Sequence, residues 1–258
     1  MSSLSHVVAD FDPALVFHPP GAWSQGRTVY GGLTAALSLQ AALGAVRGTA
    51  PPLKAAQILF AGPAGGALTF QPTVLREGKS SRSAAVDCVG DSGVAVRSTF
   101  LFAQARPSRL QRAPCAAPVV APPHACPTYD DDGKGPALLQ NFEIRFAGAA
   151  RPLSGSPEPE LVAWVRHRGA DHVDPAVALV ALADCLPPAD LACLTEFVPV
   201  SSMTWSFELP QPAAAGEWFL LRSHSVHSVS GYTLQAMEVW DQQGRLAMSG
   251  QQTVALFG

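Results

Sequence analysis

A single carboxylate, that of Asp184, sits near the end of an almost uncharged stretch, residues 174–186 (DPAVALVALADCL). Burying a carboxylate is costly unless it is paired, hydrogen-bonded or protonated. Apolar surroundings and the negative end of a helix dipole both disfavour its charged form. A carboxyl whose pKa is driven up in this way suits a general base working near neutral pH. The same placement suits a structural Asp whose oxygens take nearby backbone N–H groups, and the stretch by itself leaves both readings open. The other reactive side chains are less organised. Five cysteines (Cys88, Cys115, Cys126, Cys185, Cys193) form no CxxC pair and read as free thiols of a reducing compartment. Seven histidines are scattered without metal-ligand spacing, so no metal site is expected. Arg76, Arg82 and Arg166 are of a type that meets phosphates, and equally of a type that decorates exposed strands.

The element that carries Asp184 is a helix. Asp174 is a good N-cap, and Pro175 stands where the first turn tolerates proline. Val177, Ala178, Val180, Ala181, Leu182 and Ala183 make it apolar nearly all round, which predicts burial. A second helix of the same kind is predicted over residues 31–46 (GGLTAALSLQAALGAV), again with no charge. Strand-like runs follow it at 54–61, 67–76, 81–89 and 94–104, separated by Gly- and Ser-rich turns. In the later part of the chain, runs at 142–146 and 161–168 precede the Asp184 helix. Runs at 198–209, 217–225, 234–240 and 246–256 follow it.

Each half thus places a buried helix before a run of antiparallel strands. The order implies an α+β chain of two units, each an antiparallel sheet curled around a central buried helix. The expected division is an N-terminal domain over 1–105, a Pro-rich linker over 106–139 and a C-terminal domain over 140–258. Two such units in one chain form a covalent pseudo-dimer.

Composition narrows the function classes. The chain has 258 residues, 48% hydrophobic and 14% charged, with a net charge of −3 and no basic run, which argues against nucleic acid. No apolar run reaches the length of a membrane span. The N-terminal MSSLSHVVADFDP lacks the basic-then-apolar layout of a signal peptide, so a cytoplasmic location is expected.

Several segments together resemble one family. They are GRTVYGGLTAA (26–36), FAGPAGGALTFQPTVLREGKSS (60–81), WVRHRG (164–169), ALADC (181–185), GEWFLLRS (216–223) and GRLAMSGQQ (244–252). In this order they are similar to the bacterial thioesterase II type of acyl-CoA thioesterase, a double hot-dog family. The likeness spans nearly the whole chain except the Pro-rich linker. In that family an Asp on the second helix, a Ser or Thr on the next strand and a Gln on the last strand hold a water. The resemblance carries the Asp to Asp184 and the Gln to Gln252, with Gln251 one register away. The usual threonine position falls on Val200. Ser202 is the preferred substitute, with Ser201 and Thr204 beside it.

Thioester hydrolysis needs an activated water and a stabilised oxyanion. Asp184 would take the water's proton, while Gln252 and a serine hydroxyl would orient it. Backbone N–H groups at a helix N-terminus suit the oxyanion, and Gly31 and Gly32 open the first helix without side chains in the way. The expected activity is acyl-CoA hydrolysis with neither metal nor redox cofactor. A non-hydrolytic acyl-CoA or acyl-carrier binding protein of the same fold is the alternative, motivated by Val200. A hot-dog hydratase needs a histidine acting with an acid, and neither buried helix contains one. Trp23, Trp205 and Phe207 stay open between pocket wall and core. Exposed sheet edges invite pairing between copies, which leaves a homo-oligomer open.

Overall fold

The computed structural model describes residues 2–110, 112, 115–130 and 132–257. Its elements, in chain order, are α1 (Leu4–Ala9), β1 (Ser24–Gln25), β2 (Thr28–Val29), α2 (Gly31–Ala45), β3 (Leu53–Phe60), β4 (Thr69–Glu77), β5 (Ser81–Gly90), β6 (Gly93–Ala103), β7 (Phe142–Phe146), β8 (Glu160–His167), α3 (Pro175–Ala183), β9 (Val200–Glu208), β10 (Phe219–Val229), β11 (Tyr232–Asp241) and β12 (Leu246–Leu256). Short 3-10 turns punctuate the loops.

Both uncharged helices are buried, and each solves its polar problem locally. In α2 the Thr34 hydroxyl donates to Gly31 O and the Ser38 hydroxyl to Thr34 O, at 2.9 and 2.8 Å. Returning these hydrogens to the helix's own carbonyls lets both side chains lie in an apolar interior. In α3 the Asp174 carboxylate accepts from the amides of Ala176 and Val177, capping the first turn behind Pro175. Asp184 is the C-cap of α3. The next turn closes with Cys185 N–H donating to Leu182 O, and Pro187 and Pro188 then prevent continuation.

The main sheet is antiparallel, with the order β4-β5-β6-β3-β9-β12-β11-β10-β8-β7. Two sheets were expected, one for each half. The two half-sheets instead join edge to edge into one ten-stranded sheet, with a separate two-stranded ribbon of β1 and β2. The seam is β3 against β9, with Ala55 opposite Glu208 and Ile58 opposite Trp205. Each half leaves one strand edge unpaired beside its helix, and pairing those edges with each other satisfies both ladders. The strand alternation turns Ile58, Trp205, Phe207, Met248 and Val254 inward, all of them buried.

The segment after β6 crosses the outer face of the C-terminal half of the sheet. Ala117, Val120 and Cys126 pack there against Trp164, Trp218, Leu220 and Trp240. Two indole N–H groups anchor it: Trp164 donates to Ala121 O at 2.9 Å and Trp240 to Cys115 O at 3.2 Å. Residues 111, 113, 114 and 131 of the expected linker lie outside the described residues.

The N-terminus of α2 meets the C-terminal end of α3, and Tyr30 ties them together. Its buried hydroxyl donates to Ala181 O at 2.9 Å. Its ring stacks on Trp23 and meets Phe142 edge-on. A Cβ at Gly32 would lie 2.5 Å from the Tyr30 ring, so only glycine allows this approach.

Candidate active site

Asp184 stands where the two helix ends meet. Gln252 Nε2 donates to its Oδ1 at 2.5 Å. The Gly32 amide, in the first turn of α2, also donates to the carboxyl. Gly31 is packed against it, since a Cβ there would lie 3.0 Å from Asp184 Oδ2. Burial is the largest influence on the carboxyl and raises its pKa from 3.8 to about 7, against the two donors, which favour the charged form. Its neighbours Tyr30 and Cys185 are both pushed up, first by burial and then by Asp184 itself, so phenol and thiol stay protonated.

Gln252 is buried at 3% exposure, while Gln251 faces outward. The strand register thus puts Gln252 on the helix side of β12. The hydroxyl candidates divide in a way that simple alternation did not anticipate. A bulge at Met203 sets Ser202 opposite the buried Val254 and Thr204 opposite Thr253. Ser202 therefore shares the inner face with Gln252 and Trp205, and Thr204 turns outward, although strict alternation two residues on would place it on the face of Ser202. Ser202 makes no side-chain hydrogen bond to Asp184 or Gln252 among the described residues.

The α2 amides are also sorted. Leu33 N–H and Thr34 N–H both donate to Tyr30 O, and Gly32 N–H to Asp184. That leaves Gly31 N–H without an acceptor among the described residues. The expectation treated both glycines as open donors; the carboxylate takes the Gly32 amide because the last turn of α3 lies against it.

Two buried side chains join the site that the sequence reading did not single out. Gln235 Nε2 donates to Gln252 Oε1 at 2.8 Å. Ser223 Oγ donates to Gln235 Oε1 at 2.9 Å. A signal for Gln235 was present: it alternates with Met237 and Val239 on the buried face of β11, where an amide is out of place.

Other candidates lie elsewhere. Trp23, Trp205 and Phe207 are core residues, at most 2% exposed. Arg166 is engaged by Glu143 at 2.7 Å and lies over the Trp218 ring, and Arg82 donates to the carbonyls of Arg47 and Thr49. The half-buried His167 bonds Ala178 O in α3 at 2.8 Å rather than Asp184, and desolvation of its ring pushes it down to about 4. All five cysteines are free, and burial pushes Cys88 up to about 12. Among the described residues no three His, Cys, Asp or Glu side chains gather as a metal site, and no helix is long and apolar enough to cross a membrane.

The family follows from two matches. Residues 19–103 match the acyl-CoA thioesterase N-terminal domain and residues 123–256 the acyl-CoA thioesterase C-terminal domain. The chain belongs to the acyl-CoA thioesterase family. This is a family of thioester hydrolases, and its fold is the hot-dog fold. A conserved hot-dog protein of unknown function from Alicyclobacillus acidocaldarius is similar at 22% identity and TM-score 0.83, covering 94% of this chain and 92% of that one. The tesB protein of Mycobacterium avium subspecies paratuberculosis is 18% identical with TM-score 0.77, over 94% and 92% of the two chains. Acyl-CoA thioesterase II from Mycobacterium marinum is 22% identical with TM-score 0.72, over 88% of each. Likeness at these identities is a likeness of fold. A search of curated proteins finds no match.

Proposed function

We propose that the protein hydrolyses acyl-CoA thioesters by direct attack of water, with Asp184 as general base. The observation that carries this is the Asp184 carboxyl, half-buried where the two helix ends meet and raised to about 7 by desolvation, between the Gln252 amide and the Gly32 N–H. A base with that pKa is ionised near neutral pH and is still basic enough to take a proton.

A water beside Asp184 gives up a proton to Oδ as its oxygen attacks the thioester carbonyl carbon. Gln252, which has a second amide hydrogen beyond the one given to Asp184, orients that water, and the Ser202 hydroxyl on the same face assists. The carbonyl oxygen becomes an oxyanion, held by Gly31 N–H at the positive end of α2. As the tetrahedral intermediate collapses, the C–S bond breaks. The proton on Asp184 passes to the departing sulfur, giving a free thiol and a carboxylic acid. No residue is acylated, and the chemistry calls for neither metal nor redox cofactor.

The second reading, a non-hydrolytic acyl-CoA or acyl-carrier binding protein, draws on Val200 and on the absence of a hydrogen bond from Ser202 to the pair. A panel of acyl-CoAs of graded chain length, followed by thiol release, separates the two. The expected result is steady thiol release with at least one chain length. Saturable binding without release across the panel would overturn hydrolysis.

The pH dependence has a definite sign. The working form of Asp184 is the carboxylate, so kcat/KM should rise about tenfold per pH unit below about 7 and level off above it. A profile flat from pH 5 to 8 would show that no group of this pKa is needed. Ser202→Ala should lower kcat by less than either partner of the Asp184–Gln252 pair does, because the hydroxyl positions water without changing protonation. A loss as large as that of Asp184→Asn would make the hydroxyl an essential part of proton transfer.

A further inference from the structure

We propose that Gln235 is a positioning residue for this site, holding the Gln252 side-chain amide in the one orientation that donates to Asp184. The proposal rests on the reading of Asp184 as the base. A side-chain amide turned by 180° keeps its shape but exchanges donor for acceptor. Which end of Gln252 meets Asp184 therefore decides whether the carboxylate or the protonated acid is favoured.

The orientation is set by a backbone group that cannot reverse. Ala189 N–H donates to Gln235 Oε1 at 3.0 Å, and the Ser223 hydroxyl takes the other lone pair at 2.9 Å. Gln235 must then present its NH2 to the neighbouring strand, where Gln252 lies directly opposite in register. Gln252 meets that NH2 with Oε1 at 2.8 Å, so its own NH2 is turned to Asp184. The remaining Gln235 hydrogen faces the Met237 sulfur at 3.8 Å, so every donor and acceptor of Gln235 has a place. Gln235, Ser223 and Gln252 are each no more than 3% exposed, so water does not compete for these bonds.

The relay also closes on itself. Ala189 lies five residues after Asp184 along the chain, past Pro187 and Pro188. The adjacent Asp190 clamps this turn to the sheet, accepting from Thr233 Oγ1 at 2.6 Å and Ser228 Oγ at 2.5 Å. A shift of the turn that carries the base therefore also moves the donor that sets the amide. The titratable groups facing the ring are the Tyr30 phenol, the Cys185 thiol and the Asp190 carboxyl. Among the described residues no Lys, Arg or His bonds any member of it.

Two variants of the intact chain test this. Gln235→Glu is close to isosteric. While that new carboxyl is protonated, its carbonyl oxygen can accept from Ala189 and Ser223 and its hydroxyl can donate to Gln252, as the parent amide does. Once ionised it has no donor, and Gln252 should turn its oxygen toward Asp184. The parent's single rising limb in kcat against pH should therefore become a bell with a new falling limb. Gln235→Met adds no charge but leaves the Gln252 amide unheld, and kcat should fall about tenfold or more.

A readout independent of turnover is the titration of the Asp184 carboxyl carbon by NMR in 13C-labelled protein. Its midpoint should rise in Gln235→Met, and by a unit or more in Gln235→Glu. A midpoint that moves only in the charged variant, or a single-limb profile in Gln235→Glu, would overturn the relay. If Asp184→Asn stays fully active the base assignment fails, while the carbon titration still decides whether Gln235 sets the amide.

Discussion

Asp184→Asn is expected to lower thioester hydrolysis by about a hundred- to ten-thousand-fold, the usual cost of losing a general base. The amide keeps the shape of the carboxyl and can still accept from Gln252 or Gly32, but it cannot take a proton at neutral pH. The fold should survive, and its pH response separates catalysis from structure. In the folded chain the Asp184 pKa is raised to about 7 from 3.8. A group raised in this way contributes stability that is fully present below the unfolded pKa and lost as pH climbs through the folded one. The parent should therefore lose stability between about pH 4 and 7 from this group, and Asp184→Asn should not. Thermal denaturation should show the variant level with the parent below about pH 4 and increasingly more stable than it from there to pH 8. A variant that hydrolyses at the parent rate would make the carboxylate structural.

Gly31→Ala should cost about ten- to a hundred-fold in kcat/KM while leaving the protein folded. The added methyl would lie 3.0 Å from Asp184 Oδ2 and 3.1 Å from the Phe60 ring. The carboxyl is held by Gln252 and Gly32, so it has little room to move. The methyl would crowd the space between the base and the proposed oxyanion amide, where displacements of about an ångström cost up to a hundred-fold. Helix propensity pulls the other way, since Ala is favoured over Gly by about 1 kcal/mol inside a helix. Lost activity with a retained or raised melting temperature would therefore locate the effect at the site. Full activity in Gly31→Ala would remove the space beside Gly31 from the mechanism.

Much of this protein follows from the chain read as a string. The absence of charge over residues 31–46 and 175–183 predicts two buried helices, because ionised side chains do not enter an apolar interior unpaired. The cap at Asp174 and the prolines that follow Asp184 place the ends of α3 in local terms. Strand boundaries at 142–146 and 246–256 match the structure, since alternation and flanking turn residues are also local signals. The resemblance assigns Asp184 and Gln252, and the observed inward turn of Gln252 agrees with the register chosen over Gln251.

What the sequence leaves to the tertiary structure is whatever depends on contacts between distant elements. The joining of β3 to β9 into a single sheet is a choice of partner for two free edges, and no local pattern encodes it. The bulge at Met203, which parts Ser202 from Thr204, shows itself only when β9 is laid against β12. The capture of the Gly32 amide by Asp184 joins the beginning of one helix to the end of another. The ring through Gln235, Ser223 and Ala189 is of the same kind. These are ordinary residues on three separate segments, and a hydrogen bond needs atoms within about 3 Å, a condition that only the folded chain imposes.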